Sequence, residues 1–215
     1  MPGQRPKIVK LYRIVHIDNM EYLLSHGMFT RTHQKAEPGY INIGDSNLIQ
    51  QRNNYPVGIN PPGGYLGDYI PFYFGPLSPM LLNIKTGYRG ITMRPQSEIV
   101  YVCCKLDDVV QQCGEWCFTD GHAKNLITKF YNDLSNIDEV DWDMVSARYW
   151  QPQQSDYDRM RRKQAEFLVK DYVPVSCIRA IVVFNSEKSK VLEEIINRLG
   201  LNITVVINPN NQFYY

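Results

Sequence analysis

Four side chains of this sequence have a type and a local setting that suit chemistry. Glu166 lies within AEFLV (165–169), where apolar neighbours predict a strand, and a carboxylate there must face a cleft or solvent because burial without a partner is costly. Arg52 lies in a long stretch without periodicity, His16 ends a predicted strand, and His122 follows a turn signal. Taken singly, each has a simpler explanation as an ordinary surface or core residue. A function therefore has to be argued from their combination.

Several familiar chemical signatures are missing from the sequence. There is no GxGxxG after a predicted strand, no phosphate-binding P-loop, and no Ser/His/Asp or Cys/His arrangement with a recognisable nucleophile elbow. A zinc site built from Cys113, Cys117 and His122 has loose spacing, so we expect no metal. The five cysteines form neither CxxC pairs nor a disulfide-like framework, which predicts reduced thiols in a cytoplasmic protein.

Length and composition indicate an ordinary globular protein. The 215 residues suit one domain with a substantial core, and we expect residues 1–215 to form it. The net charge of +1 argues against a protein that grips duplex DNA mainly through phosphates, whereas 15 Tyr and 8 Phe leave aromatic rings available for stacking. No run approaches the roughly 20 apolar residues of a membrane span, and the N-terminus lacks the apolar core of a signal peptide.

The elements that must position these residues alternate irregularly, which is typical of the α+β class. The predicted strands are 7–17, 68–75, 97–106, 115–120, 165–169, 177–184 and 202–208. The predicted helical segments are 18–27, 78–85, 107–114, 123–147, 155–163 and 186–199. Pro71 interrupts the second strand and predicts an edge position, and Asp18 is expected to cap the first helix, which Gly27 ends.

Residues 30–68 lack clear periodicity and are rich in glycine and proline. A loop of this length is either functional or disordered. Because the segment carries Tyr40, Arg52, Tyr55 and Tyr65, we favour a functional loop.

The order of four sequence blocks resembles the DarT family, the toxin half of a bacterial toxin–antitoxin pair. The blocks are LYRIVHIDNMEYLLSHGM (11–28), NLIQQRNNYPV with GGYLGDYIPFYFGPLSPML (47–81), TDGHAK (119–124) and RRKQAEFLV (161–169). Together they span most of the chain. The combination of DYIPFYF, SPM, DGHA and AEFLV is specific, although each motif alone is weak.

The resemblance implies an ADP-ribosyltransferase fold of the α+β class: a split mixed β-sheet with flanking helices, NAD in the cleft between its halves and a long loop covering the NAD. It implies that Glu166 is the catalytic glutamate, that the loop carrying Arg52 covers the co-substrate, and that His122 lies near the acceptor. The expected catalytic set is Glu166, Arg52 and His122. The expected NAD-binding residues are His16, Asn19, Gly27, Arg52 and Tyr73.

The implied reaction transfers ADP-ribose from NAD to a base of single-stranded DNA, with thymine preferred over guanine. Cleaving nicotinamide from ribose builds positive charge on the sugar, which a nearby carboxylate stabilises. A base must leave any stack before its ring nitrogen can be attacked, so single strands are the less costly substrate. The residues expected to contact nucleic acid are Tyr40, Tyr55, Arg89, Arg94 and Arg148, with Tyr65, Tyr73 and Tyr149 as further candidates.

Other functions stay open at this level. A non-catalytic module could bind single-stranded nucleic acid with the same aromatic and arginine side chains, and a transferase of the same fold could modify guanine, RNA or protein. By the same resemblance we expect a macrodomain antitoxin as a partner, which removes the ADP-ribose, and no membrane association.

Overall fold

The computed structural model describes residues 3–215, and within that range the chain forms ten β-strands and seven α-helices. The strands are β1 (Lys10–His16), β2 (Met28–Phe29), β3 (Tyr69–Tyr73), β4 (Ile99–Lys105), β5 (Trp116–Thr119), β6 (Phe130–Tyr131), β7 (Glu166–Lys170), β8 (Tyr172–Val173), β9 (Ile178–Val183) and β10 (Thr204–Ile207). The α-helices are α1 (Met20–His26), α2 (Ser46–Arg52), α3 (Pro79–Thr86), α4 (Leu106–Gln112), α5 (Trp142–Ser146), α6 (Arg159–Lys163) and α7 (Ser186–Arg198).

Eight strands form one mixed sheet in the order β10-β9-β4-β1-β3-β7-β5-β6, and β2 pairs with β8 separately. The β9–β10 pair is parallel and the other pairs of the large sheet are antiparallel. Helices and strands are not arranged as repeated crossover units, so the predicted α+β class is confirmed.

The large sheet is split between β1 and β3. Strand β1 pairs with β4, its neighbour away from the split, through seven positions, from Lys10 opposite Lys105 to His16 opposite Ile99. With β3 it shares one position, Tyr12 opposite Tyr73. Two neighbouring strands that touch at one point must diverge on either side of it, and this divergence opens a cleft inside the sheet.

The prediction that Pro71 lies on an edge strand of the sheet was wrong. The strand β3 is internal, because it pairs with β7 through five positions and with β1 through one. The Pro71 carbonyl accepts a hydrogen bond from Arg13 Nη1 on β1 at 3.0 Å, so it faces the split. Since the N–H and C=O of a strand residue face the same neighbour, the missing proline N–H also faces the split, where no ladder bond is needed.

The segment 30–68, expected as one loop, contains the helix α2. The Asp45 carboxylate starts that helix by accepting hydrogen bonds from the N–H groups of Asn47 and Leu48. The predicted cap at Asp18 is also wrong, because the ring of His16 accepts from the Asp18 N–H instead.

The other predicted elements agree with the structure to within a few residues at most positions. The exception is 123–147, which was expected to be helical. It forms the short strand β6, a 3₁₀ helix (Leu134–Glu139) and α5.

Both faces of the sheet are covered near its centre. Six of the seven residues of β4 are buried, and its side chains alternate between two cores. One core receives Leu192 and Ile196 from α7, and the other receives Leu81 and Ile84 from α3. A helix on each face keeps β1 and β4 rigid, so one wall of the split is a fixed surface.

Lys163, the last residue of α6, ties three segments together. Its side chain is buried, and its ammonium donates to the carbonyls of Pro76, Val145 and Ala147 at 2.7, 2.7 and 2.8 Å. Burial lowers the pKa of Lys163 to about 7. The three protons of the charged form match the three acceptors, so this contact joins the start of β7 to the turn after β3 and to the end of α5.

We predict that Lys163→Met lowers the free energy of unfolding by about 3 kcal/mol, because three buried carbonyls lose their donor. Urea unfolding followed by circular dichroism measures the change. Lys190 lies exposed on α7 and supplies the matched control, since Lys190→Met should stay within about 0.5 kcal/mol of the wild type. A similarly small change in the free energy of unfolding for Lys163→Met would show that the three hydrogen bonds of Lys163 do not stabilise the fold.

Candidate active site

The split between β1 and β3 opens into a cleft. Its empty volume, including the open mouth, is about 1150 Å³. One wall is the internal strand β3 with the start of β7, and the opposite wall is β1 with the segment 29–53. The cleft is open to solvent on one side and is lined by both polar and apolar side chains, as small-molecule sites usually are.

Glu166, the first residue of β7, is held at the floor of this cleft by its backbone. It lies opposite Tyr73 of β3, and its N–H donates to Thr119 Oγ1 of β5 at 3.0 Å. The Thr119 hydroxyl also donates to the Gly121 carbonyl at 2.7 Å. The carboxylate is therefore placed by two neighbouring strands, and Glu166 is only 3% exposed.

Arg52 forms a two-point ion pair with Glu166. Its Nη1 and Nη2 lie 3.2 and 2.9 Å from the two carboxylate oxygens. Both side chains are largely buried, and the backbone N–H of Ala123 donates a third hydrogen bond to Glu166 at 3.0 Å. The planar guanidinium fork matches the carboxylate geometry, so the pair is both strong and directional.

The local charges decide which protonation states the site holds. Burial raises the pKa of Glu166, but Arg52 and His122, together with hydrogen bonds from Arg52 and Ala123, outweigh it and hold that pKa below its usual range. Burial lowers the pKa of His122 despite the opposing effect of Glu166. Burial, reinforced by Glu166, raises the pKa of Tyr73. At neutral pH the site thus holds an ionised carboxylate, a neutral imidazole and a protonated phenol.

The loop that carries His122 is anchored by Arg161 of α6. Arg161 Nη1 donates to the Asp120 carboxylate at 2.8 Å, and the Arg161 carbonyl accepts from the His122 N–H at 2.9 Å. Because Arg161 belongs to α6, five residues before Glu166, the imidazole and the carboxylate are positioned by one continuous segment of chain.

A buried carboxylate that stays ionised can stabilise positive charge or accept a proton. The bound guanidinium fixes the direction of its oxygens. A neutral imidazole and a phenol beside it can donate or accept hydrogen bonds without adding charge. The arrangement therefore suits a reaction whose transition state is cationic.

The residues expected to bind NAD fall into two groups. Arg52 and Tyr73 line the cleft. His16, Asn19 and Gly27 are not among the cleft-lining residues. His16 is buried beside Glu98, with its Nε2 3.3 Å from the carboxylate.

Asn19 supports the cleft indirectly, and Gly27 has a structural role at the end of α1. The Asn19 side chain both donates to the Ile41 carbonyl and accepts from the Ile41 N–H, each at 2.9 Å, and so fixes the segment that forms a cleft wall. Gly27 ends α1 with φ 93°, and a Cβ there would lie 2.6 Å from the Val173 carbonyl. Both the conformation and the close approach require glycine.

The residues expected to bind nucleic acid are dispersed over the surface. Tyr40 lines the cleft, whereas Tyr55 lies in a shallow groove beside Phe130. Arg89 extends over the ring of Tyr88.

The other two arginines of that set already have protein partners. Arg94 Nη1 lies 3.5 Å from the Glu98 carboxylate and 3.4 Å from His16 Nε2. Arg148 donates to the Asn211 carbonyl at 3.3 Å. Of the five predicted residues, Tyr40 alone lines the cleft that holds Glu166.

Sequence reasoning missed Arg13, Thr30 and Gln164, all of which line the cleft. Arg13 interrupts the apolar strand β1, which was a usable signal, and it has no carboxylate within 4.0 Å among residues 3–215. The Thr30 hydroxyl is buried and has no hydrogen-bond partner among the described residues. A buried hydroxyl without a partner is unusual, because most buried polar groups are hydrogen-bonded.

No group of three or more His, Cys, Asp or Glu side chains among residues 3–215 is arranged to hold a metal ion. No helix in the same range reaches the length and apolarity that crossing a bilayer requires.

Comparison with known proteins is consistent with this geometry. Residues 12–215 match the family model described as ssDNA thymidine ADP-ribosyltransferase, DarT. The DNA ADP-ribosyl transferase of Escherichia coli O127:H6 is 34% identical over 210 residues, covering 98% of this chain and 95% of the relative. A DNA ADP-ribosyl transferase–DNA ADP-ribosyl glycohydrolase fusion protein of Thermosipho africanus is 27% identical over 212 residues, which are 95% of this chain and 49% of the fusion.

Solved structures of DarT from Thermus sp. 2.9 resemble the whole chain. The complex with ADP-ribosylated ssDNA superposes with a TM-score of 0.88 at 28% identity, covering 100% of both chains. The complex with NAD+ gives a TM-score of 0.80 at 28% identity, covering 99% of this chain and 100% of the other. The predicted ADP-ribosyltransferase-like split sheet is thereby confirmed, and the chain belongs to the DarT family of single-stranded-DNA thymidine ADP-ribosyltransferases.

Proposed function

We propose that this chain transfers ADP-ribose from NAD to thymine in single-stranded DNA and releases nicotinamide. The observation that most directly supports this proposal is the buried, ionised Glu166, which Arg52 holds at the floor of the cleft. Family membership supplies the reaction class, and the DarT of Thermus sp. 2.9 has been solved both with NAD+ and with ADP-ribosylated ssDNA.

Glu166 acts first on the sugar. As the bond between nicotinamide and ribose breaks, positive charge spreads over the ring, and a carboxylate beside it lowers the energy of that state. Because Glu166 is 3% exposed, little water screens the interaction. Its oxygens are already oriented by Arg52 and by the Ala123 N–H, so little reorganisation accompanies the reaction.

The acceptor base must lose a ring proton when it attacks the sugar. Glu166 is suited to take that proton, and His122, neutral because burial lowers its pKa, is the neighbouring candidate for orienting the base. Arg52 orients both the carboxylate and the acceptor through its remaining N–H donors. These three residues form the proposed catalytic set.

The rest of the cleft is proposed to hold NAD. Tyr73 and Arg52 lie beside the reacting end. Arg13 supplies a cation without a carboxylate partner for the diphosphate, and the unpaired Thr30 hydroxyl offers a hydrogen bond to the dinucleotide. Asn19 contributes by holding the wall at Ile41.

His16 and Gly27 remain proposed parts of the NAD site, acting from behind the cleft wall. Tyr40 is proposed to meet the acceptor at the cleft, and Tyr55, Arg89 and Arg94 remain candidates for contacts farther along the strand.

We also propose that this chain is a cytoplasmic toxin and that a macrodomain antitoxin counteracts it. The Thermosipho fusion joins a DNA ADP-ribosyl transferase to a DNA ADP-ribosyl glycohydrolase in one chain, which supports a partner that removes the modification. The five cysteines are free thiols, which fits a reducing compartment.

The main test is the mass of oligonucleotides incubated with NAD, with nicotinamide release measured in parallel. We expect an ADP-ribose adduct on thymine-containing single strands, little on the same sequence as a duplex, and none on RNA. The variant Glu166→Gln keeps size and polarity but removes the charge, and it should lower the rate by about 10²–10³-fold or more. An unchanged rate would show that the charge of Glu166 has no catalytic role.

Other outcomes of the same assay identify the competing functions. Strand binding that ignores NAD and survives Glu166→Gln indicates a non-catalytic module. An adduct on guanine, RNA or protein indicates a different acceptor. Because the variant leaves Arg52 without its carboxylate partner, its thermal unfolding must be compared with that of the wild type.

Arg52→Lys tests the geometry of the ion pair separately from its charge. A lysine ammonium keeps the positive charge but cannot bind both carboxylate oxygens in a planar fork. We expect kcat of the Arg52→Lys variant to be lower than that of the wild type by about tenfold or more, and kcat of Arg52→Gln to be lower still. Steady-state kinetics with a fixed oligonucleotide measures both, and equal kcat values for lysine and arginine would show that charge alone suffices.

Expression in bacteria tests the toxin assignment. We expect the wild-type chain to slow growth, Glu166→Gln to be tolerated, and co-expression of a macrodomain glycohydrolase active on ADP-ribosylated DNA to restore growth. Growth curves with matched soluble protein levels provide the measurement. Normal growth at high levels of soluble wild-type protein would contradict a toxin.

A further inference from the structure

The backbone ladder between β5 and β7 ends one position short of the proposed catalytic carboxylate. Its last pair is Phe118 opposite Phe167, and one more step would place Thr119 opposite Glu166. On the other side of β5, Thr119 still pairs with Phe130 of β6. The Glu166 N–H donates to the Thr119 hydroxyl at 3.0 Å rather than to a backbone carbonyl of β5. A side chain therefore takes the place of one ladder bond beside the active site.

The same hydroxyl fixes the segment that follows β5. It lies 2.7 Å from the Gly121 carbonyl and 3.3 Å from the Glu166 carbonyl. A hydroxyl has one proton to donate, so the shorter contact, to Gly121, is the stronger use of it. The Gly121 carbonyl belongs to the peptide group that leads into His122, so its direction sets the course of the chain towards Ala123.

This segment then returns to the carboxylate itself. The Ala123 N–H, two residues after Gly121, donates to Glu166 Oε1 at 3.0 Å. Three hydrogen bonds thus form a closed ring that begins at the Glu166 backbone, passes through Thr119 and ends at the Glu166 side chain. Thr119 and Ala123 are 0% exposed and Glu166 is 3% exposed, so no bulk water is at hand to replace the hydroxyl.

We propose that Thr119 is a positioning residue for the transfer reaction, whose hydroxyl holds the segment 120–123 against Glu166 so that the Ala123 N–H meets one carboxylate oxygen. The proposal rests on the proposed function, because it assigns a role in the same reaction. Thr119 is not among the residues that line the cleft. It therefore acts through Glu166 and its neighbour His122, and not by touching the sugar or the base.

The charge balance around Glu166 makes this single hydrogen bond important. The groups that interact with its carboxylate are Arg52, His122, Tyr73, Cys117 and the Ala123 N–H. Burial raises the pKa of Glu166, and Arg52, His122 and the Ala123 N–H together lower it. Losing the Ala123 bond therefore raises that pKa and favours the neutral acid. A neutral acid neither stabilises a cationic sugar nor accepts a proton.

Two substitutions separate the hydroxyl from the shape of the side chain. Thr119→Val replaces the hydroxyl by a methyl group, and Thr119→Ser keeps the hydroxyl. For the valine variant we expect kcat in the oligonucleotide assay to fall by about tenfold, with KM for NAD changed by less than about twofold. As the pH falls, its kcat should be lost at a higher pH than in the wild type, because Glu166 is protonated earlier. The serine variant should keep the wild-type pH profile and most of kcat.

Nuclear magnetic resonance of the protein without NAD gives a readout that does not depend on turnover. In Thr119→Val the amide protons of Glu166 and Ala123 should exchange faster with solvent, and the Glu166 carboxyl carbon should titrate at a higher pH. Both properties should stay as in the wild type in Thr119→Ser. If the valine variant does not fold, Thr119→Cys takes its place with the same expected direction, because a thiol is a weaker donor and acceptor.

Ser189 on α7 supplies the matched control. It is a buried hydroxyl that donates to Glu193 Oε1 at 2.7 Å, and it does not line the cleft. Ser189→Ala removes a buried hydroxyl hydrogen bond elsewhere in the fold, so it should leave kcat, the pH profile and the exchange of the Ala123 amide unchanged. Thermal unfolding shows whether each variant is folded.

The outcomes separate this proposal from the proposed function. A folded Thr119→Val variant with the pH profile and amide protection of the wild type would overturn the positioning role. An equal loss of kcat in the valine and serine variants would also overturn it, because the hydroxyl would not be the cause. If the wild type forms no adduct, the proposed function falls. Faster Ala123 exchange in the valine variant alone would then still support the link between the Thr119 hydroxyl and the Glu166 carboxylate.

Discussion

The site depends on a carboxylate that must stay ionised where water is nearly excluded. Moving a charge out of water costs several kcal/mol, so Glu166 is tolerated in the cleft only because Arg52 binds both of its oxygens and Ala123 donates a further hydrogen bond. The same exclusion of water that makes the charge costly would make it effective towards a cationic sugar in the proposed reaction. Under the proposed function, stability and catalysis would both rely on this one pair of side chains.

The fold supplies this pair through a sheet that is split internally. The strand β1 stays paired with β4, while β3 follows β7, and the gap between β1 and β3 becomes the cleft. Pro71 is compatible with an internal strand because its missing N–H faces that gap. Lys163 then fixes the start of β7 against the turn after β3, so the strands that carry Glu166 and Tyr73 keep their spacing.

Arg52 reaches Glu166 because of a helix that sequence patterning did not detect. The helix α2 has seven residues and no fully buried apolar side chain, so it has no apolar stripe to recognise. Its start was marked by Asp45, whose carboxylate accepts from two backbone N–H groups. Short helices held by caps and by one ion pair are difficult to predict, because the stabilising partner lies more than a hundred residues away in the chain.

The sequence by itself determined most strands and helices, the α+β class and, through four ordered motifs, the family. The same motifs predicted Glu166, Arg52 and His122 as site residues. These signals are local, because periodicity, caps and motif residues act over a few positions. Only the tertiary structure showed that Arg52 and Glu166 form a buried pair, that Arg13 and Thr30 line the cleft, and that His16 and Asn19 do not. Those facts depend on how the two halves of the sheet diverge, and that divergence is set by contacts between segments far apart in the chain.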